Sequence, residues 1–147
     1  MKSSNVTTKL HWDEVLLAAL KEDIPWEDVS ANAVVPEEAR GHADLIAKAD
    51  GVLAGLPVFC RVFVLLDEDS KVTLYKEEGA RVKAGERIAE VEGNMRAILS
   101  GERTALNFLQ RMSGIATYAR QMADLLKGTK TVLLDTRKTT PLLRSFE

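Results

Sequence analysis

Residues 100–141 read SGERTALNFLQRMSGIATYARQMADLLKGTKTVLLDTRKTTP. Apolar side chains at 105, 108, 109, 112, 115, 116, 119, 122, 123 and 126 recur at the spacing of one buried helix face, interrupted at Gly114. This predicts two successive helices or one kinked helix over 100–127. After Gly128, residues 131–135 are an apolar run that ends in polar groups, as a buried parallel strand does at its carboxyl end. A helix followed by such a strand is how an α/β barrel begins.

Toward the amino terminus the pattern changes to short segments. Residues 71–76 alternate Val72 and Leu74 with Thr73 and Tyr75, which predicts a strand, and the glycines of 80–98 punctuate further β structure. Residues 57–66 open with Pro57 and are apolar nearly all round, which favours a buried helix. Looser alternation over 40–48 fits a half-buried strand. Residues 12–20 carry apolar groups at 12, 15, 16, 19 and 20, a first helix, and Pro25 within the acidic stretch 22–28 makes that stretch a loop.

The 147 residues are enough for one domain, or one domain and part of another, and 46% apolar with 29% charged content supports a packed core rather than disorder. A net charge of −2 argues against a general nucleic-acid or membrane-surface binder, so any bound anion must meet locally placed cations. The longest apolar run, 62–66, is far short of the roughly 20 residues that span a bilayer, and the start of the chain has no signal-peptide core. With a single Cys60 and no disulfide, these features are those of a cytoplasmic protein.

Two segments carry candidate chemistry. Residues 135–141, DTRKTTP, gather Arg137, Lys138 and the hydroxyls of Thr136, Thr139 and Thr140 directly after the apolar run, a set suited to phosphate or carboxylate groups. The competing reading is a solvated basic turn. Arg103 follows Ser100 and Glu102 at the expected helix start, where a cation opposes the helix dipole and needs a partner or ligand. His11, His42 and Cys60 have no metal-ligand spacing, and no Walker loop, dinucleotide glycine pattern or Ser-His-Asp order is present. Residues 78–93 resemble the strand pattern of biotinyl and lipoyl carrier domains, with Lys76 or Lys83 as the attachment candidates. No lysine stands at a recognisable hairpin tip, which favours a structural role for the segment.

Taken together, ERTALNFLQRMSGIAT (102–117) and DTRKTTP (135–141), with EDI (22–24) and GVLAGL (51–56) in the same order, resemble the quinolinate phosphoribosyltransferases, the carboxylating nicotinate-nucleotide pyrophosphorylases. The resemblance implies an α+β chain: an open-faced α/β sandwich domain over 1–113, then over 114–147 the first helix and strand of a truncated α/β barrel. It implies phosphoribosyl transfer from phosphoribosyl pyrophosphate to quinolinate with loss of CO2, giving nicotinate mononucleotide and pyrophosphate. Arg137 and Lys138 would bind the quinolinate carboxylates, Thr136 and Thr139 would shape the loop, and Arg103 would enter a neighbouring subunit's site, making a homodimer or higher homo-oligomer. Magnesium would arrive on the pyrophosphate oxygens.

The same likeness implies that the remaining barrel residues lie outside this chain, which alone should be inert. Residues 129–147 should then be mobile or paired with another chain. Leu142 departs from the glycine usual in the family, so that turn is expected to be built differently. A related branch linked to molybdate transport, a carrier-like module and a truncated assembly piece are the alternatives.

Overall fold

A computed structural model describes the backbone of residues 6–147 and the side chains from residue 11 onward. Helix α1 (Val6–Asp23) leads through a loop into the one-and-a-half-turn α2 (Val29–Val34), capped by Asp28, whose Oδ1 accepts from the Ala31 N–H at 3.0 Å. Strand β1 (Arg40–Ile46) and the two-residue β2 (Gly51–Val52) precede α3 (Leu56–Leu66). Strands β3 (Lys71–Leu74), β4 (Arg81–Val82) and β5 (Arg87–Asn94) then run into α4 (Met95–Leu125), and a 3-10 turn covers Arg144–Phe146. Helices and antiparallel strands are thus combined as α+β.

The main sheet is antiparallel in the order β1-β5-β3, and β2 pairs with β4 in a separate ribbon. Register follows side-chain alternation: Ala43, Val91 and Val72 lie in one row across the three strands, with Val91 buried and Val72 packed against the core. Helix α3 is the centre of the core, with Leu56, Val58, Phe59, Val62 and Phe63 all buried. The Glu78 carboxylate starts it, accepting from the N–H groups of Gly55 at 2.6 Å and Leu56 at 2.9 Å. Gly55 is required here, since its φ is 98° and a Cβ would lie 2.5 Å from Met112 Sδ.

Helix α4 lies against α3, with Gly101 allowing Phe63 and Leu66 to approach. It begins at Met95 because Asn94 caps it, its side chain accepting from Arg96 N–H at 2.9 Å. Ser113 and Thr117 tie the same helix to the β2 region by accepting from Ala54 N–H at 3.1 Å and Val52 N–H at 2.9 Å.

The predicted helix over 57–66 and the strands over 40–48 and 71–76 form close to their expected bounds, while the helix expected over 12–20 runs from Val6 to Asp23 and takes in the first two residues of the expected loop. Three expectations need correction. Residues 95–98 are helical rather than β, and of the alternatives of two helices or one over 100–127 it is one, continuous through Gly114, where a glycine's cost is outweighed by the packing on either side. Ser100 and Arg103 are therefore not at a helix start. Residues 131–135 form no strand: Val132, Leu133 and Leu134 are 74%, 50% and 80% exposed, because no neighbouring strand is present to take their backbone groups or cover their side chains.

Candidate substrate-binding site

The loop 135–141 lies beyond the end of α4. Thr136 Oγ1 accepts from Lys138 N–H at 3.1 Å, a local turn that holds the backbone between the two cations. Arg137 and Lys138 are exposed, and their side chains have no hydrogen bond or ion pair among the described residues, while Thr139 is half-buried. Two cations without carboxylate partners on a turned backbone can take an anionic group without first breaking an ion pair.

The tail beyond the loop is docked rather than loose. Arg111 Nε donates to Glu147 Oε1 at 2.9 Å, its Nη2 donates to Thr140 Oγ1 at 2.7 Å and also meets Glu147, and Thr140 N–H donates to Glu147 Oε2 at 2.9 Å. The Arg111 guanidinium and the Thr140 donors hold the Glu147 carboxyl well below its usual range, at about 2. Beside it Phe146 is 1% exposed, its ring 5.0 Å from Phe108 and 6.0 Å from Trp12. Residues 140–147 thus depart from the expectation of a mobile or externally paired tail. The turn they require puts Leu142 at φ 67°, the left-handed region that a glycine would enter freely.

Arg103 lies about two turns inside α4, so its partner is not needed to offset a helix-start dipole. Its Nη1 donates to Asp23 Oδ1 at 2.8 Å, and that hydrogen bond, with the charge of Asp23, raises the guanidinium pKa further above its ordinary value. The side chain stays 72% exposed. No hydrogen bond or ion pair joins Arg103 to the 136–139 loop among the described residues, so this chain holds two cationic groups apart.

Sequence reasoning did not single out Arg111, Glu147 or Asp23, although Arg111 and Asp23 stand in the motifs that carry the resemblance. Their signal was chemical type without geometry: a lone arginine or aspartate has no visible partner 36 or 80 positions away. Cys60 is half-buried and burial pushes its thiol up to about 11, which leaves it protonated and unsuited to nucleophilic work at neutral pH. No group of three His, Cys, Asp or Glu side chains that could hold a metal occurs among the described residues. The carrier-like stretch 78–93 contributes β4 and the central strand β5, and Lys76 is paired with Glu86 at 3.1 Å.

The long helix of this α+β domain runs on into a loop whose two cations have no ion pair among the described residues. The family model "Quinolinate phosphoribosyl transferase, N-terminal domain" matches residues 28–113, and "Quinolinate phosphoribosyl transferase, C-terminal domain" matches 115–147. The chain belongs to the quinolinate phosphoribosyltransferase family. It is 41% identical over 126 residues to the probable carboxylating nicotinate-nucleotide pyrophosphorylase of Bacillus subtilis, a match covering 86% of this chain and 43% of that protein. A decarboxylating quinolinate phosphoribosyltransferase of Nicotiana tabacum, described as mitochondrial, is 40% identical over 132 residues, covering 89% of this chain and 37% of its own. The crystal structure of NadC from Streptococcus pyogenes superposes with a TM-score of 0.90 at 42% identity, covering 93% of this chain and 49% of that one. The chain therefore spans less than half the length of these relatives.

Proposed function

We propose that the protein transfers the phosphoribosyl group of phosphoribosyl pyrophosphate to quinolinate, with loss of CO2, to give nicotinate mononucleotide and pyrophosphate. The observation that carries this reading is the unpaired Arg137–Lys138 pair, in a chain whose relatives bear the names of carboxylating nicotinate-nucleotide pyrophosphorylases and quinolinate phosphoribosyltransferases. These names favour it over a carrier module or an assembly piece.

Both substrates carry several negative charges, so binding depends on cations placed where water is excluded and each charge counts for more. Arg137 presents a planar fork to one quinolinate carboxylate, Lys138 a point charge to another, and Thr136 and Thr139 hold the loop between them. Arg103, standing apart from this loop, serves the equivalent loop of a second subunit in a homodimer or higher homo-oligomer. Magnesium enters on the oxygens of phosphoribosyl pyrophosphate, as part of that substrate. No helix among the described residues is long and apolar enough to cross a membrane. The composition and the single Cys60 support placing the protein in the cytoplasm.

The test is nicotinate mononucleotide formation by the full expressed product of the gene, given quinolinate, phosphoribosyl pyrophosphate and magnesium. Arg137→Ala is expected to lower kcat/KM by about a hundredfold, the loss of one desolvated charge-assisted pair of about 2–3 kcal/mol. Wild-type product with no turnover of quinolinate, or an Arg137→Ala variant as active as wild type, overturns the assignment.

A further inference from the structure

The end of α1 and the segment through α2 lie along one side of α4. Arg96 Nε donates to the Val35 carbonyl at 2.8 Å, Ser100 Oγ donates to Asp28 Oδ2 at 3.2 Å, and Arg103 Nη1 donates to Asp23 Oδ1 at 2.8 Å. Positions 96, 100 and 103 fall at four- and three-residue intervals, one face of the helix. The first two contacts are accounted for by structure: the Arg96 bond satisfies a carbonyl at the end of α2, and Asp28 caps that helix through its other oxygen. Asp23 has no such second task. It is the last residue of α1, it is half-buried, and its carboxylate has Arg103 as its one hydrogen-bond partner among the described residues.

The guanidinium is a rigid fork with two usable edges. Asp23 takes a single nitrogen, Nη1, and Nε and Nη2 have no hydrogen bond among the described residues. An exposed ion pair of this kind adds little to stability. Its effect is geometric, because it biases a long side chain toward one arrangement and leaves the Nε–Nη2 edge without a partner among the described residues, the edge that binds a carboxylate through two parallel bonds.

We propose that Asp23 is a positioning residue for Arg103, holding the guanidinium so that its open edge meets a carboxylate of the anionic substrate. This rests on the proposed role of Arg103 as a substrate-binding group. Part of the ordering of Arg103 then precedes the arrival of the substrate, and removing its tether moves that part of the entropic cost into the binding step.

The experiment measures KM for quinolinate and kcat in the full expressed product for Asp23→Ala, Asp23→Asn, Arg103→Ala and the double variant Asp23→Ala/Arg103→Ala. Asp23→Ala is expected to raise KM about three- to fivefold, the most that an exposed ion pair of about 1 kcal/mol can hold in place, with kcat little changed. Asp23→Asn keeps an oxygen that accepts from Nη1 and is expected to restore KM to within about twofold. The double variant is expected to match Arg103→Ala alone, because there is no guanidinium left to position. An unchanged KM in Asp23→Ala beside a raised KM in Arg103→Ala overturns the proposal and leaves the substrate reading of Arg103 intact. An Asp23→Ala effect that persists in full without Arg103 also overturns it, since Asp23 would then act through the fold. If Arg103→Ala is itself silent, the reading of Arg103 fails and the proposal falls with it.

Discussion

Leu142 shows what one residue can be made to do by its neighbours. Its φ of 67° is unfavourable for any residue with a Cβ, and its side chain is 80% exposed, so no burial offsets the strain. The turn is held from outside, by Arg111 on Thr140 and Glu147 and by the buried Phe146. The expectation that leucine here would build a different turn is therefore corrected. Leu142→Gly is expected to raise stability by about 0.5–1 kcal/mol, the relieved strain less the added freedom of the unfolded chain, read as a higher denaturation midpoint. A lower midpoint would show that the leucine is not strained.

Glu147 gives a second prediction at this scale. Its folded pKa of about 2 lies below the ordinary 4.5, so its contribution to docking residues 140–147 is fully present above about pH 4.5 and is lost as the pH falls toward 2. In Arg111→Ala the largest cause of the shift is gone. The Glu147 side chain, followed by NMR, is expected to titrate much closer to 4.5 in that variant, and an unmoved titration would place the cause elsewhere.

Among the elements, α4 does the most to arrange the molecule. One continuous helix carries the cap at Asn94, the close approach to α3 at Gly101, the tethered Arg103, the hydroxyls that hold the β2 region and the Arg111 clamp. The tail is joined to it mainly by Phe146, set between Phe108 of α4 and Trp12 of α1. Phe146→Ala removes a fully buried ring and is expected to cost about 3–5 kcal/mol if the tail unfolds with the rest. Urea denaturation followed by circular dichroism measures it, and a loss under about 1 kcal/mol would mean that the tail opens independently of the core.

At the scale of the whole molecule, the apolar run 132–134 remains exposed and Arg103 stands apart from the Arg137–Lys138 loop. The 147-residue polypeptide alone is accordingly expected to form no nicotinate mononucleotide under conditions in which the full expressed product turns over. Turnover by the purified polypeptide, abolished by Arg137→Ala, would overturn that expectation.

Much of this was legible in the residues themselves. Periodicities of two and of three to four located the strands over 40–48 and 71–76 and the helix over 12–20, because a half-buried face must repeat at the period of its element, and Pro57 opening an all-round apolar run located the helix over 57–66. Residues 102–117 and 135–141 pointed to the family and to the loop of Arg137 and Lys138. Periodicity could not place the start of α4, since Asn94 acts as a cap only with a helix beyond it, or the fate of residues 131–135, since an apolar run becomes a strand only when neighbours take its backbone bonds. Nor could it join Asp23 to Arg103 or Glu147 to Arg111. Composition and spacing are local quantities that the chain carries with it; a partner 36 or 80 residues away exists only after the core has brought two helices, or a helix and a tail, within hydrogen-bond distance.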